Sequence, residues 1–429
     1  MLLKVLNPGR LIALGFAGVI IVGAIVLMLP ISINDGVDVS LTDAFFTSTS
    51  AVCVTGLIAV DTADTFNVFG RSVVALLIQI GGLGVTSVGA FFIILAGKRV
   101  GLKQRVVIKE GLNFSSLKGI VRLVKAVLLM TLIFESVGAI LSFLVFRKDY
   151  PLADAIGISV FHSIAAFNNS GFDILGGLRN LIPYQNNVLL NLVTCGLIIF
   201  GGLGFFVIRE IIFTRSFKKF SLHTKIVLSM TALLLGIGTV LLKYTEDITW
   251  LGAFFNSTSA RTAGFSTYPL SGFSDAGLFV LIVLMFIGAS PGSTGGGIKT
   301  STFFVMAKYV YSVCRNKHCT AFKRKIPSGI VYRAFCILLL ALLVVLTNTF
   351  LLCVLEPQNS FIANFFEVTS AFGTVGLSTG ITPDLSDGSK WILIFTMFIG
   401  RLGPLTVATL WCKNRLPGVV YSEETVTIG

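Results

Sequence analysis

Apolar runs long enough to cross a membrane recur along the whole chain, and short polar segments separate them. An α-helix of about 20 apolar residues spans the ~30 Å hydrocarbon core of a bilayer. Four runs precede a polar segment and are predicted as outer helices at roughly 11–29, 120–146, 225–243 and 330–355. Four runs follow a polar segment and are predicted as inner helices at roughly 70–97, 187–213, 277–307 and 389–412. The pattern therefore predicts an all-α polytopic membrane protein with eight transmembrane helices.

The four polar segments share one frame: an aromatic pair or near-pair, a Ser-rich stretch and a terminal glycine, at 44–56, 160–171, 253–264 and 364–376. Each frame is too short to cross a bilayer and too polar to face lipid, which favours a re-entrant half-helix. Non-helical backbone at membrane depth is tolerated only where it is buried in protein or lines water. The four loops should therefore converge on one central pore.

A second shared motif follows each frame inside the next apolar run. It begins with Ile or Phe followed by glycine, at Ile80-Gly81, Phe200-Gly201, Ile287-Gly288 and Ile399-Gly400. Its near-constant distance from the frame indicates one module used four times. We therefore divide the chain into four pseudo-symmetric repeats of helix, pore loop and helix, at residues 1–105, 106–220, 221–325 and 326–429. The last repeat includes a C-terminal tail.

Composition and charge agree with this topology. The chain is 54% hydrophobic and 12% charged, with a mean hydropathy of +0.90, whereas soluble domains carry roughly 25% charged residues. Lys and Arg cluster at 98–125, 209–225, 308–333 and near both ends, which by the positive-inside rule makes these loops and both termini cytoplasmic. The net charge of +13 is thus explained by topology and contact with anionic membrane lipid, and it does not indicate nucleic-acid binding.

Glycine at the end of each frame suggests a chemistry for the pore. A dehydrated monovalent cation needs a cage of oxygens, and backbone carbonyls supply one when the chain turns them inward. That turn requires unusual φ angles, which glycine adopts at little cost. Gly56, Gly171, Gly264 and Gly376 share this position, whereas other glycines such as Gly15 are better explained by helix packing. We predict that the four frame glycines form a selectivity filter.

The frames resemble the filter segments of the Trk/Ktr/HKT potassium transporter superfamily, and the resemblance covers nearly the whole chain. The chain starts almost directly at the first repeat, without the two extra N-terminal helices of the TrkH branch, so it is most similar to the KtrB-like branch. The matching segments are Val54-Thr55-Gly56, Asn169-Ser170-Gly171, Thr262-Ala263-Gly264 and Thr374-Val375-Gly376.

The resemblance implies a potassium-translocating subunit of a Ktr-type uptake system. In that family glycine in all four segments accompanies potassium preference, and we expect potassium at the backbone carbonyls of Thr55, Ser170, Ala263 and Val375. It also implies sodium-dependent uptake or symport, a homodimer, and a cytosolic ring of KtrA-like RCK-domain subunits that binds ATP or ADP. This chain would carry no cofactor of its own and would lie in the bacterial cell membrane.

The third inner helix is interrupted by residues 288–297, whose composition no stable helix tolerates. The resemblance implies a flexible loop below the filter that occludes the pore and moves on gating. A simple kink is the alternative. A nucleotide-binding loop is disfavoured because Ile298 interrupts the near-match that ends at Lys299, and no soluble strand precedes it. The predicted gate residues of this loop are Gly288, Pro291, Gly292, Gly295, Gly296 and Gly297.

Arg401 places a cation inside the fourth inner helix, where the other repeats have Gly82, Gly202 and Ala289. An intramembrane charge is costly and therefore suggests a function. We predict that Arg401 lies below the filter near the gate loop, as an electrostatic barrier or as a latch on the loop's carbonyls. The alternative is a structural pair with a carboxylate. Other ionisable residues in apolar or pore segments are Glu135, His162, Arg261 and Glu367. Glu135 is expected to pair with a neighbour, and His162 and Glu367 are expected to support the loops rather than contact ions.

Three other functions compete with potassium uptake. One is a mainly sodium-conducting, HKT-like pore, and another is a secondary carrier with broken helices, although carrier repeats are often inverted. A membrane-embedded enzyme is disfavoured because no paired His, acid dyad or nucleophile–base set has plausible spacing. The last residues, 420–429, resemble the KtrB tail that reaches the dimer interface.

Overall fold

The structure, a computed structural model, describes residues 8–95, 100–111, 119–410, 422 and 424. Nearly all of the predicted tail at 420–429 lies outside these residues. The four outer helices are present close to their predicted bounds, as α1 Pro8–Leu27, α7 Ile120–Phe146, α11 Leu222–Thr245 and α15 Ser328–Leu355. Each is long and apolar enough to cross a membrane. The prediction of an all-α, multi-pass membrane fold is confirmed.

Each polar frame forms a short helix that ends at the predicted filter segment. Ser40, Thr249 and Ser360 begin three of these helices by accepting a backbone N–H three residues ahead, as good N-caps do. The half-helices are α2 Leu41–Cys53, α8 Leu152–Phe167, α12 Trp250–Ser259 and α16 Phe361–Gly373.

Every inner helix is broken, whereas only the break in the third was predicted. A single glycine in the left-handed φ range separates the parts of three of them: Gly84 at φ 80°, Gly204 at 90° and Gly403 at 88°. The first two breaks turn the chain by 98°. In the third inner helix the break is the predicted glycine-rich loop. The parts are α4 Val68–Leu83 with α5 Val85–Leu95, α9 Val188–Leu203 with α10 Phe205–Thr214, α13 Asp275–Phe286 with α14 Thr300–Cys314, and α17 Asp387–Leu402 with α18 Pro404–Thr409.

The remaining elements connect these helices. Two short helices are α3 Thr62–Thr65 and α6 Leu102–Gly111. A two-stranded antiparallel hairpin, β1 Thr320–Ala321 with β2 Arg324–Lys325, lies between α14 and α15 and was not predicted. The 3₁₀ turns are Pro30–Ser32, Ile182–Tyr184, Phe217–Lys219, Leu270–Gly272 and Thr382–Asp384.

A serine on the half-helix ties it to the outer helix of its own repeat. Ser48 donates to the carbonyl of Ile20 at 2.7 Å, and Ser163 donates to that of Glu135 at 2.6 Å. In the third repeat Ser257 donates to the carbonyl of Leu235 at 3.2 Å. Three residues after each acceptor stands a glycine, Gly23, Gly138 or Gly238, where a Cβ would collide with the serine hydroxyl. The polar half-helices are thus buried against backbone at close range.

One ion pair joins the first repeat to the fourth. Lys390, in the first turn of α17, lies 2.9 Å from the carboxylate of Asp43 in the first turn of α2, and both side chains are largely buried. The negative charge also lies at a helix N-terminus, where the macrodipole favours it. The pair therefore fixes a half-helix of the first repeat to an inner helix of the last.

Lys390→Met should lower the thermal stability of the protein, because the largely buried Asp43 carboxylate loses its counter-charge. We expect a cost of about 1–3 kcal/mol, less than for a fully buried pair, because both side chains keep some contact with solvent. The measurement is thermal unfolding of the detergent-purified protein. Lys148→Met, which removes an exposed lysine, serves as the control and should have no effect.

The double variant Lys390→Met with Asp43→Asn distinguishes the effect of the unpaired carboxylate from the effect of replacing the lysine side chain. It should regain part of the stability lost by Lys390→Met, because no uncompensated charge remains. Equal melting temperatures for the single and the double variant would contradict the role of the pair.

Candidate functional site

The four predicted filter segments meet in a closed ring. A Cβ added to Gly56 would overlap the carbonyl oxygen of Ser170, and one added to Gly171 would lie 2.6 Å from that of Ala263. The same contact continues from Gly264 to Val375 O and from Gly376 back to Thr55 O. Each repeat thus touches the next in order, and the fourth touches the first. The four carbonyls predicted to bind potassium are the ones that pack against the glycines.

The backbone of each segment alternates between left-handed and ordinary conformations. The glycines have φ values from 71° to 95°, and the residues two positions earlier are also left-handed: Val54 at 58°, Asn169 at 60°, Thr262 at 121° and Thr374 at 50°. Such alternation turns successive carbonyls to one side of the chain. These four residues were not predicted, because the unusual φ was expected of glycine alone, and three of them, Val54, Thr262 and Thr374, are β-branched.

The N–H groups of the segments are directed back toward the half-helices. The amides of Thr55, Ser170 and Val375 donate to carbonyls five residues earlier at 2.8–2.9 Å. Serine hydroxyls accept from the filter glycines in two repeats, Ser50 from Gly56 and Ser370 from Gly376, both at 3.0 Å. With these donors satisfied inside the protein, the segments keep their carbonyl oxygens available for the axis. Each half-helix also ends at its segment, so the negative end of its dipole is close to the ring.

The third segment is built differently from the others. Its frame has one residue fewer between the aromatic pair and the glycine, and the amide of Ala263 donates to Ser259 O, four residues back rather than five, at 2.8 Å. Arg261 occupies the shortened turn and is buried, and no hydrogen-bond partner of its Nε is described. The ring is therefore only approximately four-fold.

The predicted gate loop lies directly against one side of this ring. The N–H of Gly296 donates to the Thr374 hydroxyl at 2.9 Å, and a Cβ on Gly295 would lie 2.5 Å from Thr262 Oγ1. Both threonines are the left-handed residues of their segments. The loop also bonds to the second inner helix at its break, where Phe205 N donates to Gly292 O at 3.1 Å.

Two cations hold the carbonyls of the gate loop. Arg401 donates one Nη to Thr294 O in the loop and the other to Gly81 O on α4. Within the described residues it contacts no carboxylate, so the structural ion pair considered for it is not formed there. Lys299 donates to Gly295 O at 2.6 Å and to Gly296 O at 3.3 Å. Sequence reasoning missed Lys299, which was considered only as part of a nucleotide-loop near-match.

A cavity of about 660 Å³ adjoins the gate loop, and no residue of the four filter segments lines it. Its lining includes both cations, the break glycines Gly84 and Gly403, and Glu110 near the end of α6. Gate residues Gly292, Gly295 and Gly297 face it, together with Pro291. Gly288 instead packs against the Gly296 backbone at the base of the loop.

Two of the other ionisable residues singled out in the sequence, Glu367 and His162, bond to neighbouring segments around the ring. The buried Glu367 accepts from Ser378 Oγ at 2.7 Å, Thr379 N at 2.8 Å and Thr382 Oγ1 at 2.8 Å. It thereby holds the chain that follows the fourth segment. His162, at the corresponding place of the second half-helix, lies 2.9 Å from Thr194 Oγ1.

Comparison with known proteins agrees with this architecture. The TrkH family model, described as "Cation transport protein", matches residues 19–248 and 239–417. Ktr system potassium uptake protein B of Bacillus subtilis (strain 168) is 38% identical over 437 residues, covering 99% of this chain and 97% of its own length. Potassium/sodium uptake protein NtpJ of Enterococcus hirae is 38% identical, covering 99% of this chain and 98% of its own length.

Among solved structures, the potassium transporter TrkH from Vibrio parahaemolyticus superposes with a TM-score of 0.75. Its sequence identity is 20%, and the match covers 95% of this chain and 86% of that chain. This likeness supports the fold. The relatives are named as transport proteins rather than enzymes, in agreement with the prediction that the chain is not an enzyme. Family model, relatives and fold together show that the chain belongs to the TrkH/Ktr family of cation transport proteins.

Proposed function

We propose that this protein is the potassium-translocating membrane subunit of a Ktr-type potassium uptake system. The closed ring of four glycines and four carbonyls carries this proposal, because a ring of backbone oxygens can replace the hydration shell of a monovalent cation. The relatives' names support the choice of ion, since one is called a potassium uptake protein and another a potassium/sodium uptake protein. Potassium is the substrate, and the filter carbonyls of Thr55, Ser170, Ala263 and Val375 bind it.

The proposal includes a gate and a regulatory partner. The loop at 288–297 closes the pathway below the filter, and Arg401 holds it closed. A cytosolic KtrA-like RCK ring, which binds ATP or ADP, releases it, and sodium stimulates uptake. Relatives named as parts of a Ktr system support a partner subunit. We further propose a homodimer with both termini cytoplasmic, an orientation supported by the basic loops.

Gly376→Ser tests the filter, because a Cβ at this position would collide with Thr55 O and push it out of the ring. We expect the ratio of rubidium to sodium uptake to fall by about tenfold, which corresponds to roughly 1.4 kcal/mol of discrimination. The measurement is uptake of both ions by a potassium-uptake-deficient bacterium that expresses the chain, with and without a co-expressed RCK subunit.

Gly380→Ser is the matched control for the filter. Gly380 lies four residues further along and has a similar φ of 98°, but a Cβ added to it would meet no atom within 4 Å. The substitution therefore reproduces the backbone strain without the collision and should keep the normal ratio. Equal entry of rubidium and sodium, unaffected by Gly376→Ser, would refute the filter and reopen the carrier hypothesis.

Arg401→Ala tests the latch, because it frees the carbonyls of Thr294 and Gly81. We expect rubidium uptake without the RCK subunit to rise about fivefold, as the loss of roughly 1 kcal/mol of hydrogen bonding favours the open loop. Arg401→Lys keeps the charge but cannot bridge both carbonyls, because lysine has a single ammonium group. If the latch depends on the bridge, the uptake of Arg401→Lys should equal that of Arg401→Ala. Wild-type behaviour of Arg401→Lys would instead favour an electrostatic barrier.

Arg71→Ala is the matched control for the latch. Arg71 also belongs to an inner helix and also donates to two backbone carbonyls, Phe66 O at 2.8 Å and Ala63 O at 2.6 Å. It lies at the opposite end of α4 from the gate loop, so its removal should not increase uptake. If Arg401→Ala folds and changes neither rate nor ion preference, the gate role of Arg401 is wrong.

A further inference from the structure

A carboxyl cluster lies behind the second filter segment, at the interface between the first and second repeats. The Glu135 carboxylate, in the middle of outer helix α7, accepts from Asn168 Nδ2 at 3.0 Å and from Gln79 Nε2 at 3.3 Å. Asn168 Nδ2 also donates to Gln79 Oε1 at 2.8 Å. Three elements thus meet at these side chains: an outer helix, an inner helix and the end of a half-helix.

The pseudo-symmetry shows that the scaffold does not require this cluster. Glu135 is the residue whose carbonyl accepts from the half-helix serine, and its counterparts in the first and third repeats are Ile20 and Leu235. Gln79 stands two residues before the packing glycine of its inner helix, and its counterparts in the other repeats are all apolar: Ile199, Phe286 and Phe398. At the places of Glu135 and Gln79 these other repeats therefore pack with apolar side chains, and the paired carboxyl and amide are a specialisation of this interface.

The cluster is one residue away from the filter backbone. Asn168 directly precedes the left-handed Asn169, and Ser170 then provides the carbonyl that packs against Gly56 of the first repeat. The backbone of Gly82 on α4 also presses on the Asn168 side chain, since a Cβ there would lie 2.6 Å from Asn168 Cγ. A shift of Asn168 would therefore be transmitted to the Ser170 carbonyl.

The free-energy cost of placing a carboxyl group inside a membrane helix indicates that Glu135 has a function. A carboxyl group within a membrane helix is expensive, and apolar residues at the counterpart positions show that the fold can do without it. A carboxylate can accept from Asn168 and Gln79 on its two oxygens at once. An amide in its place has a single acceptor oxygen, so one of the three hydrogen bonds would be lost.

We propose that Glu135 is a positioning residue for the second filter segment, which it acts on through Asn168 and Gln79 to fix the Ser170 carbonyl and thereby the ion preference. Neither Glu135 nor Gln79 contacts the ion. The inference rests on the proposed function, because it assumes that the ring of carbonyls selects among cations.

Glu135→Gln tests this inference, with rubidium and sodium uptake measured in the same potassium-uptake-deficient strain. We expect the rubidium-to-sodium ratio to fall about fivefold, as one hydrogen bond to the positioning cluster is lost. The exchanged pair, Glu135→Gln with Gln79→Glu, should restore the ratio. A glutamate at 79 can accept from Asn168 and from the new glutamine, so all three hydrogen bonds can re-form with the partners reversed.

Leu235→Ala is the matched control, because it truncates the counterpart side chain at the same place of the third outer helix. It should leave the ratio unchanged. Melting temperature and the amount of folded protein in the membrane are measured for every variant. If Glu135→Gln folds, or only melts earlier, with a wild-type ratio, the cluster is scaffolding and the inference is overturned.

Failure of the exchanged pair to recover the ratio would also overturn the inference, since the cluster rather than the charge at 135 is proposed to act. If Glu135→Gln does not fold, the exchanged pair alone decides: a wild-type ratio supports the inference, and failure of both variants to fold assigns Glu135 to scaffolding. Absence of rubidium uptake by the unmodified chain, or an unchanged ratio in Gly376→Ser, would instead refute the proposed function, so the two failures are distinguishable.

Discussion

The close approach of four glycine Cα atoms to four neighbouring carbonyl oxygens is the constraint on which the rest of the structure depends. A methyl group on Gly56, Gly264 or Gly376 would occupy the place of the next repeat's carbonyl. Backbone packed this closely leaves no room for water inside the wall, so every N–H of the segments needs a partner within the protein. The half-helices and their serines supply partners for the N–H groups of Thr55, Gly56, Ser170, Val375 and Gly376, and in three repeats the outer helix in turn holds the half-helix at hydrogen-bonding distance.

The amino-acid sequence predicted the parts of this arrangement that have a local chemical signature. A short stretch of Phe, Ser and Thr that ends in glycine cannot face lipid, so the half-helices and their convergence followed from solvation alone. The inner-helix breaks could not be predicted in this way. Gly84 and Gly204 stand within strongly apolar runs, and one glycine costs a helix only about 1 kcal/mol, so tertiary contacts decide whether the helix breaks there. At the fourth inner helix, Pro404 directly follows Gly403, a local break signal that the sequence does carry.

The left-handed residues of the filter were missed for a related reason. Val54 is β-branched and has φ 58°, a conformation that its own side chain disfavours. The bond from Thr55 N to Ser50 O and the Ser50 hydroxyl on Gly56 N fix the residues that follow it, so the turn is imposed by its neighbours. The conformational preferences of the individual residues therefore do not predict this left-handed turn. Lys299 was missed likewise, because only the folded loop shows which carbonyls it reaches.

In the proposed function, the gate loop and the filter use the same chemical group for opposite purposes. In both, glycine-rich backbone presents carbonyl oxygens to the pathway, but at Thr294, Gly295 and Gly296 side-chain cations already occupy them. Arg401 and Lys299 come from different repeats, so this arrangement has no four-fold counterpart, in contrast to the ring above it. A permeating cation would have to compete with two tethered charges for these oxygens. In the proposed gate, opening therefore requires the charges to move together with the loop, because displacing the loop alone would leave two unpaired cations in the path of the ion.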